Sequence, residues 1–300
     1  MDNRKKLLAI INPFSGTKSK AKVPLLIDEV LDKTRFAVEV AMVERENHVR
    51  DLSREAIERG FYGVVAVGGD GTVNGAATAL IGSDVALAVV PCGSGNGLAR
   101  HLGLPMNVRR ALQVINADNV ETLDYCTVND RTFVCTCGMG FDAEVAHRFA
   151  QKSHRGLVTY AVTSLEVFAR YKPQRYRLTF DGHTIEEDAF VVACANAAQY
   201  GNNAFIAPHA SMQDGLLDIT VMRPFNPLVA PVMGVDLFTR RLDKNVHCHI
   251  YRAREVVIER PAEGAMHIDG EPIVMPSRLT VTCHPRGVKM FIPPTAKSNA

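Results

Sequence analysis

The chain has 300 residues, of which 47% are apolar and 22% charged, with a formal net charge of +2. This composition belongs to a globular protein with one large or two ordinary cores and excludes disordered and fibrous classes. Nearly balanced charge with no basic run argues against nucleic acid as a partner, and no segment reaches the roughly 18 apolar residues that span a bilayer, so any membrane contact is peripheral.

Residues 1–11 place basic side chains ahead of an apolar stretch. Pro13 ends that stretch early and no small-residue cleavage site follows, so residues 7–11 read as a first strand, not a signal peptide. Helical spacing follows over 22–31, a strand over 37–43, a helix over 49–59 and a buried strand over 64–67. A helix over 73–81, a strand over 85–90 and a helix opening near Gly97 complete the series. Strands separated by helices of about ten residues predict a parallel sheet with helices on its faces and a ligand at the carboxyl ends of the strands.

Three loops lie at those ends. Asn12-Pro-Phe-Ser-Gly16 follows the first strand, Gly68-Gly-Asp-Gly-Thr72 the third and Pro91-Cys-Gly-Ser-Gly-Asn-Gly97 the fourth. Glycines at 68, 69 and 71 let the backbone approach a ligand, and the helix that opens there offers unpaired N–H groups and a dipole to an anion. Asp70-Gly71 is also a hairpin signal, but Val73, Ala76, Ala77 and Leu80 keep a helical period. The predicted site is phosphate-sized. Gly68, Gly69 and Gly71 offer amides to it, Thr72 and Asn74 side-chain donors, and Asn12, Gly93 and Ser94 come from the neighbouring strand ends. The chain has no Gly-x-x-x-x-Gly-Lys-Ser/Thr loop, which excludes a P-loop kinase. Asp70 suits an anion site only if a metal ion or a proton-transfer role offsets its charge, so Mg²⁺ with ATP is the expected partner.

From about Thr122 the pattern changes to short β-type runs over 132–137, 176–180, 189–195, 217–222, 249–258 and 278–283, which predicts an antiparallel sandwich or barrel. Two helices interrupt it. One covers 157–170, with Val158, Val162, Leu165 and Phe168 on one stripe. The other covers 228–242 and carries Leu228, Val232, Val235 and Phe238; it is read as packed on its own sheet with a solvated charged side at Arg240, Arg241 and Lys244, the alternative being that Phe238 and these cations form a basic, apolar face for an anionic bilayer. The expected division is an α/β domain over 1–124 and a β-rich domain over 125–300, the last residues returning to the first domain. Seven scattered cysteines do not make a disulfide framework, and a reducing cytoplasm fits them. Cys135, Cys137 and His247-Cys-His249 lack the second ligand pair of a zinc site. Gly138-Met-Gly-Phe-Asp142 imitates a dinucleotide fingerprint without the acidic residue that should follow.

Asn12-Pro13, Gly68-Gly-Asp-Gly-Thr-Val-Asn74, Pro91-Cys-Gly-Ser-Gly-Asn96, Gly138-Met-Gly-Phe-Asp142, Asp214-Gly-Leu-Leu-Asp218 and Asp269-Gly-Glu271 together resemble the diacylglycerol kinase and sphingosine kinase superfamily, and most closely its compact bacterial lipid kinases. The resemblance covers nearly the whole chain. It implies ATP-dependent phosphorylation of a lipid hydroxyl, with a Rossmann-like nucleotide domain, a β-sandwich domain and the acceptor in a cleft between them. Nucleotide contacts are then expected at Asn12, Gly68, Gly69, Asp70, Gly71, Thr72, Val73, Asn74, Gly93 and Ser94.

Glu271 matches the general base of the related kinases, and Asp70 orients Mg²⁺-ATP or shares the proton work. The bare sequence equally allows a surface β-turn at Asp269-Gly-Glu-Pro272. The segment 211–216 matches a structural Mg²⁺ site in bacterial relatives, with Asp214 as side-chain ligand and Ser211 and Leu216 giving carbonyls; an Asp-Gly hairpin turn reads as well. The resemblance also implies a lipid substrate at the membrane surface and a cytoplasmic protein peripheral to the inner face of the membrane, a homodimer being one option for its oligomeric state. Gly97 where diacylglycerol kinases carry Asp, Gly75 where an acidic residue is common, and Gly201-Asn-Asn203 leave a sphingoid base and a glycerolipid equally open. The alternatives are a kinase of a soluble acceptor such as NAD, and a non-catalytic lipid or nucleotide sensor.

Overall fold

A computed structural model describes residues 3–16, 20–152 and 157–294, with backbone only at 157, 158 and 160. Two compact units are formed, one by the residues up to Leu123 together with those from Arg286 onward, the other by Asp124–Pro285.

In the first unit β1 (Lys5–Ile11), β2 (Phe36–Met42), β3 (Gly63–Gly68) and β4 (Ala86–Pro91) form a parallel sheet in the order β2-β1-β3-β4. The helices are α1 (Val23–Val30), α2 (His48–Glu58), α3 (Asp70–Leu80), the short α4 (Gly97–His101) and α5 (Val108–Asn116). Leu7, Ala9, Ile11, Val65 and Val67 pack against Val23, Ile27, Leu112 and Ile115 of α1 and α5. The alternate residues Leu8, Ile10, Val64 and Ala66 are buried as well. Both faces of the sheet are therefore covered, which explains why these strands read as unbroken apolar runs.

The second unit is a sandwich. It contains β5 (Val120–Val128), which begins in the first unit, then β6 (Arg131–Phe133), β7 (Thr136–Gly140), α6 (Phe141–Ala150), α7 (Leu157–Phe168), β8 (Gln174–Phe180), β9 (His183–Ala189) and β10 (Val191–Ala195). After these come β11 (Leu217–Met222), α8 (Ala230–Phe238), β12 (Cys248–Ala253), β13 (Glu255–Glu259), β14 (Gly264–Ile268), β15 (Glu271–Met275) and β16 (Arg278–Phe291). One sheet runs β12-β11-β10-β7-β14-β15, antiparallel throughout. The other is built on β13, β8, β9 and the first half of β16, with the β5–β6 hairpin. Phe133, Cys137, Met139, Tyr176, Val192, Ile219, Val256 and Val281 fill the space between them. The predicted fold class, a parallel α/β unit followed by an antiparallel sandwich, is the one observed.

Several boundaries differ from the sequence reading for identifiable reasons. The run 132–137 breaks into two strands because the amides of Val134, Cys135 and Thr136 all turn to the Asp269 carboxylate. The runs 189–195 and 249–258 each split where the chain changes sheet, at Phe190 and Arg254. Residues 264–275 form a hairpin where the sequence predicts no strand, with the β-turn allowed at 269–272 as its tip. The strand from 278 continues past Pro285 to Phe291, bending at Arg286 (φ 54°), and its end lies parallel to β4.

Both helical stripes of the second unit are corrected. In α7, Val162 and Leu165 point outward and Thr163 and Val167 inward; of the predicted stripe Phe168 does face the core, packing on Phe141 and Phe190, and the side chain of Val158 lies outside the described residues. In α8 the predicted core stripe is the exposed one, and Met233 is the buried residue.

Candidate functional site

The three glycine loops of the first unit meet at the start of α3. Asn12 leaves β1 with its amide donating to Val67 O, and its Nδ2 donates to Thr72 Oγ1 at 3.0 Å. Gly69 and Gly93 are in backbone contact: a Cβ on Gly93 would sit 2.6 Å from Gly69 Cα. No other residue type fits there. The loop after β4 is folded by Asn96, in left-handed conformation at φ 52°, whose side chain accepts from Gly93 N and donates to Gly93 O, both at 2.9 Å. Lys20 donates to Ser15 O, and Arg100 Nε to Gly95 O, so cations hold the first and third loops by their carbonyls.

Asp70 is the clasp between the second and third loops. Its Oδ2 accepts from Asn96 N at 2.9 Å and its Oδ1 from Gly97 N at 2.8 Å. Two amides thus offset the carboxylate that looked out of place beside an anion. Gly71 and Thr72 occupy helix positions whose N–H groups have no acceptor within the helix, and Gly69 as N-cap has no side chain to receive them. The result is a backbone-built anion cradle at a helix N-terminus. Ser94 is exposed at the tip of the third loop. Val73 is buried with its amide committed to Gly69 O, and Asn74 is buried with its Oδ1 accepting from Thr78 Oγ1.

In the second unit Glu271 sits at the first position of β15, exposed, opposite Ile268. The turn between them is Asp269 (φ 48°) and Gly270 (φ 83°), both left-handed, as a two-residue hairpin of type I′ requires. The tip of this hairpin is pinned. Asp269 is buried, its Oδ1 accepting from Cys135 N (2.8 Å) and Thr136 N (2.9 Å) and its Oδ2 from Val134 N (3.0 Å). The base is pinned as well: the buried Arg260 guanidinium donates to Gly264 O (2.8 Å), Ala265 O (2.9 Å) and Met275 O (2.6 Å). Desolvation lowers the Arg260 pKa from its ordinary value.

Beside the hairpin lies a buried polar group that the sequence reading missed. Asp142, at the start of α6, accepts from Tyr200 Oη at 2.6 Å and faces His267 Nε2 at 3.0 Å. Gly138 makes the room, since a Cβ there would lie 2.4 Å from Asp142 Oδ2 and 2.6 Å from His267 Nε2. The motif discounted as a false dinucleotide fingerprint thus has a local purpose, and the signal for it was the bare β7 position opposite His267. Burial, with the Asp142 charge adding, pushes the Tyr176 phenol up to about 12.

The loop at 211–216 brings together other partners. Asp214 Oδ1 accepts from Leu216 N at 3.0 Å, its Oδ2 pairs with Arg252, and Ser211 Oγ accepts from Gln213 N. Asp124, buried nearby, accepts from Gly215 N at 2.7 Å. The oxygen donors suit a hard cation, but a guanidinium already lies against the one carboxylate of the set. A divalent ion at Asp214 would compete with Arg252 for that carboxylate. Among the described residues no group of three His, Cys, Asp or Glu side chains is placed to hold a metal.

Comparison with known proteins places the two units. The model of the diacylglycerol kinase catalytic domain matches residues 6–128, and that of the YegS C-terminal NAD kinase beta sandwich-like domain matches residues 135–292. A diacylglycerol kinase of Mycobacterium tuberculosis is 32% identical over 225 residues, 72% of this chain and 72% of that one. The chain belongs to the diacylglycerol kinase family. Structures with the same fold include a diacylglycerol kinase from Bacillus anthracis, with TM-score 0.73, 19% identity and 97% of each chain covered. An NAD kinase from Archaeoglobus fulgidus in complex with ATP has TM-score 0.52 and 13% identity, over 95% of this chain and 93% of that one. No helix of this kinase, among the described residues, is long and apolar enough to cross a membrane.

Proposed function

We propose that this chain transfers the γ-phosphoryl group of ATP to a lipid hydroxyl. The observation that carries the reading is the contact of Gly69 with Gly93, because it builds a phosphate-sized cradle from bare backbone in the unit that matches the diacylglycerol kinase catalytic domain. Phosphoryl transfer asks a protein chiefly to position two substrates and to offset charge on the moving group. The amides of Gly71 and Thr72 hold nucleotide phosphate, Asn12 and Thr72 support the cradle from the side, and Asp70 keeps the second and third loops together. Mg²⁺ bound with the nucleotide supplies charge neutralisation, and Asp70 is the carboxylate at that end of the unit.

Glu271 takes the proton of the acceptor hydroxyl as its oxygen attacks the γ-phosphorus, and ADP leaves with the bridging oxygen. A hairpin tied at tip and base is a suitable mount for such a group, because a general base acts only within hydrogen-bond reach of its proton. The named diacylglycerol kinase relative supports a lipid acceptor, whereas the resemblance to NAD kinase is the more distant one. Labelled ATP incubated with a total lipid extract tests the reading. Label in a chloroform-soluble product, identified by mass spectrometry and lost in Glu271→Gln, is the expected result. NADP formation would move the assignment to a soluble acceptor, and ATP binding without transfer to any acceptor would make the chain a sensor.

A further inference from the structure

The helix α8 and the 3-10 turn before it (Pro227–Val229) present an apolar stripe to solvent. Leu228 is 86% exposed, Val232 54%, Val235 60% and Phe238 57%. Spacings of four, three and three residues put these side chains on one face. The opposite face is apolar too: Met233 is buried, and Val229 and Leu237 pack against the cluster containing Phe190, Phe205 and Met222. A helix that is apolar on both sides belongs under cover, and exposed apolar stripes of this kind mark interaction surfaces.

What lies at the end of the stripe indicates the cover. Arg240, Arg241 and Lys244 are all exposed, and Arg240 (φ 59°) lays its guanidinium 4.1 Å from the Phe205 ring where the chain turns. Val246, 82% exposed, extends the apolar surface beyond them. The acids of this segment have local partners, Asp236 with Asn245 Nδ2 at 2.6 Å and Asp243 with His209 Nε2 at 3.3 Å. Apolar side chains bordered by outward cations complement a bilayer carrying anionic headgroups. A second copy of the chain would have to bring acids to this end, and the stripe carries none to offer in return.

We propose that this face is where the kinase docks on an anionic membrane, with Leu228, Val232, Val235 and Phe238 entering the boundary between headgroups and acyl chains and Arg240, Arg241 and Lys244 meeting lipid phosphates. The proposal rests on the lipid-acceptor reading, for which it supplies the route to substrate. The test is sedimentation of the full-length protein with phosphatidylcholine vesicles, with and without phosphatidylglycerol. Alongside it, phosphorylation of diacylglycerol is measured in those vesicles and as a short-chain form dispersed in detergent. Val235→Asp with Phe238→Asp should reduce binding to the anionic vesicles about tenfold and lower activity on them in parallel, with short-chain activity and melting temperature unchanged. Val235→Ser with Phe238→Ser should move in the same direction by less.

Equal vesicle binding by variant and wild type, or a wild type that ignores anionic vesicles, overturns the proposal. So does a wild-type dimer that the variant converts to monomer. If vesicle binding depends on Val235 and Phe238 but diacylglycerol is phosphorylated in neither format and labelled ATP marks no species of a total lipid extract, the docking face stands and the lipid-kinase reading falls.

Discussion

His267 Nε2 stands 3.0 Å from Asp142 Oδ2, both side chains buried, with His267 on the first strand of the same hairpin that carries Glu271 on its second. The pair ties the start of α6 to β14 and occupies the space left by the missing side chain of Gly138. Gly138→Ala forces a methyl group into that space against two polar atoms, neither of which can retreat without leaving its partner. The expected cost is about 1–3 kcal/mol of stability, read from urea denaturation, with a larger fall in turnover than in nucleotide affinity. Unchanged stability would mean that the pair can relax.

Asp70→Asn keeps the shape of the side chain but replaces one acceptor oxygen by a donor facing a backbone N–H. The loops after β3 and β4 should then separate, with a loss of about 1–3 kcal/mol and weaker ATP binding by isothermal titration. A variant with wild-type affinity and no turnover would instead assign Asp70 to the chemistry itself.

Glu271→Gln should lower turnover by roughly 10² to 10⁴ with nucleotide affinity and melting temperature unchanged, since the side chain is exposed. Asp269→Ala should behave in the opposite sense: three buried amides lose their acceptor, and the protein should lose about 2–4 kcal/mol of stability. The two adjacent acids are thus separable by one kinetic and one thermal measurement.

Arg223 donates to both oxygens of Glu187, at 2.6 and 2.7 Å, and this hydrogen-bonded pair holds the Glu187 carboxyl below its usual pKa. A depressed carboxyl pKa contributes stability that is present above the unfolded-state value near 4.5 and lost as pH falls through the folded value. Glu187→Gln should therefore lower the melting temperature at neutral pH, by an amount equivalent to roughly 1 kcal/mol, and make no difference once the medium is acid enough to protonate the wild-type group. A gap that persists unchanged in acid would remove the ion pair as its cause.

Arg252 already neutralises Asp214, so chelation of divalent ions by EDTA should leave the melting temperature unchanged while Arg252→Gln lowers it. A fall on chelation, reversed by Mg²⁺, would mean that the ion displaces the guanidinium.

Legibility of the fold followed the density of local constraint. Strands β3 and β4 are buried along their whole length and are bounded by glycine turns, so period, length and punctuation agreed. The cradle was readable for the same reason: glycines at 68, 69 and 93 have no use in a strand or helix interior. The sandwich was harder because its breaks come from distant partners. Nothing in the sequence around Val134 announces that three amides will face Asp269, and nothing around Gly138 names His267 as the group it accommodates. The stripe on α8 shows the limit of periodicity, which finds an apolar face but not the side to which it turns.

The bonds from Asp269 to Val134, Cys135 and Thr136 also set an order of events during synthesis. They join positions 133 to 135 residues apart, so the loop they close spans nearly half the polypeptide. A nascent chain that has emerged only as far as β13 carries the three glycine loops together with three inner amides that lack their acceptor, and its first unit still waits for the strand end at Met290. A chain cut short before Asp269 is thus left with an open seam for chaperones and proteases to find.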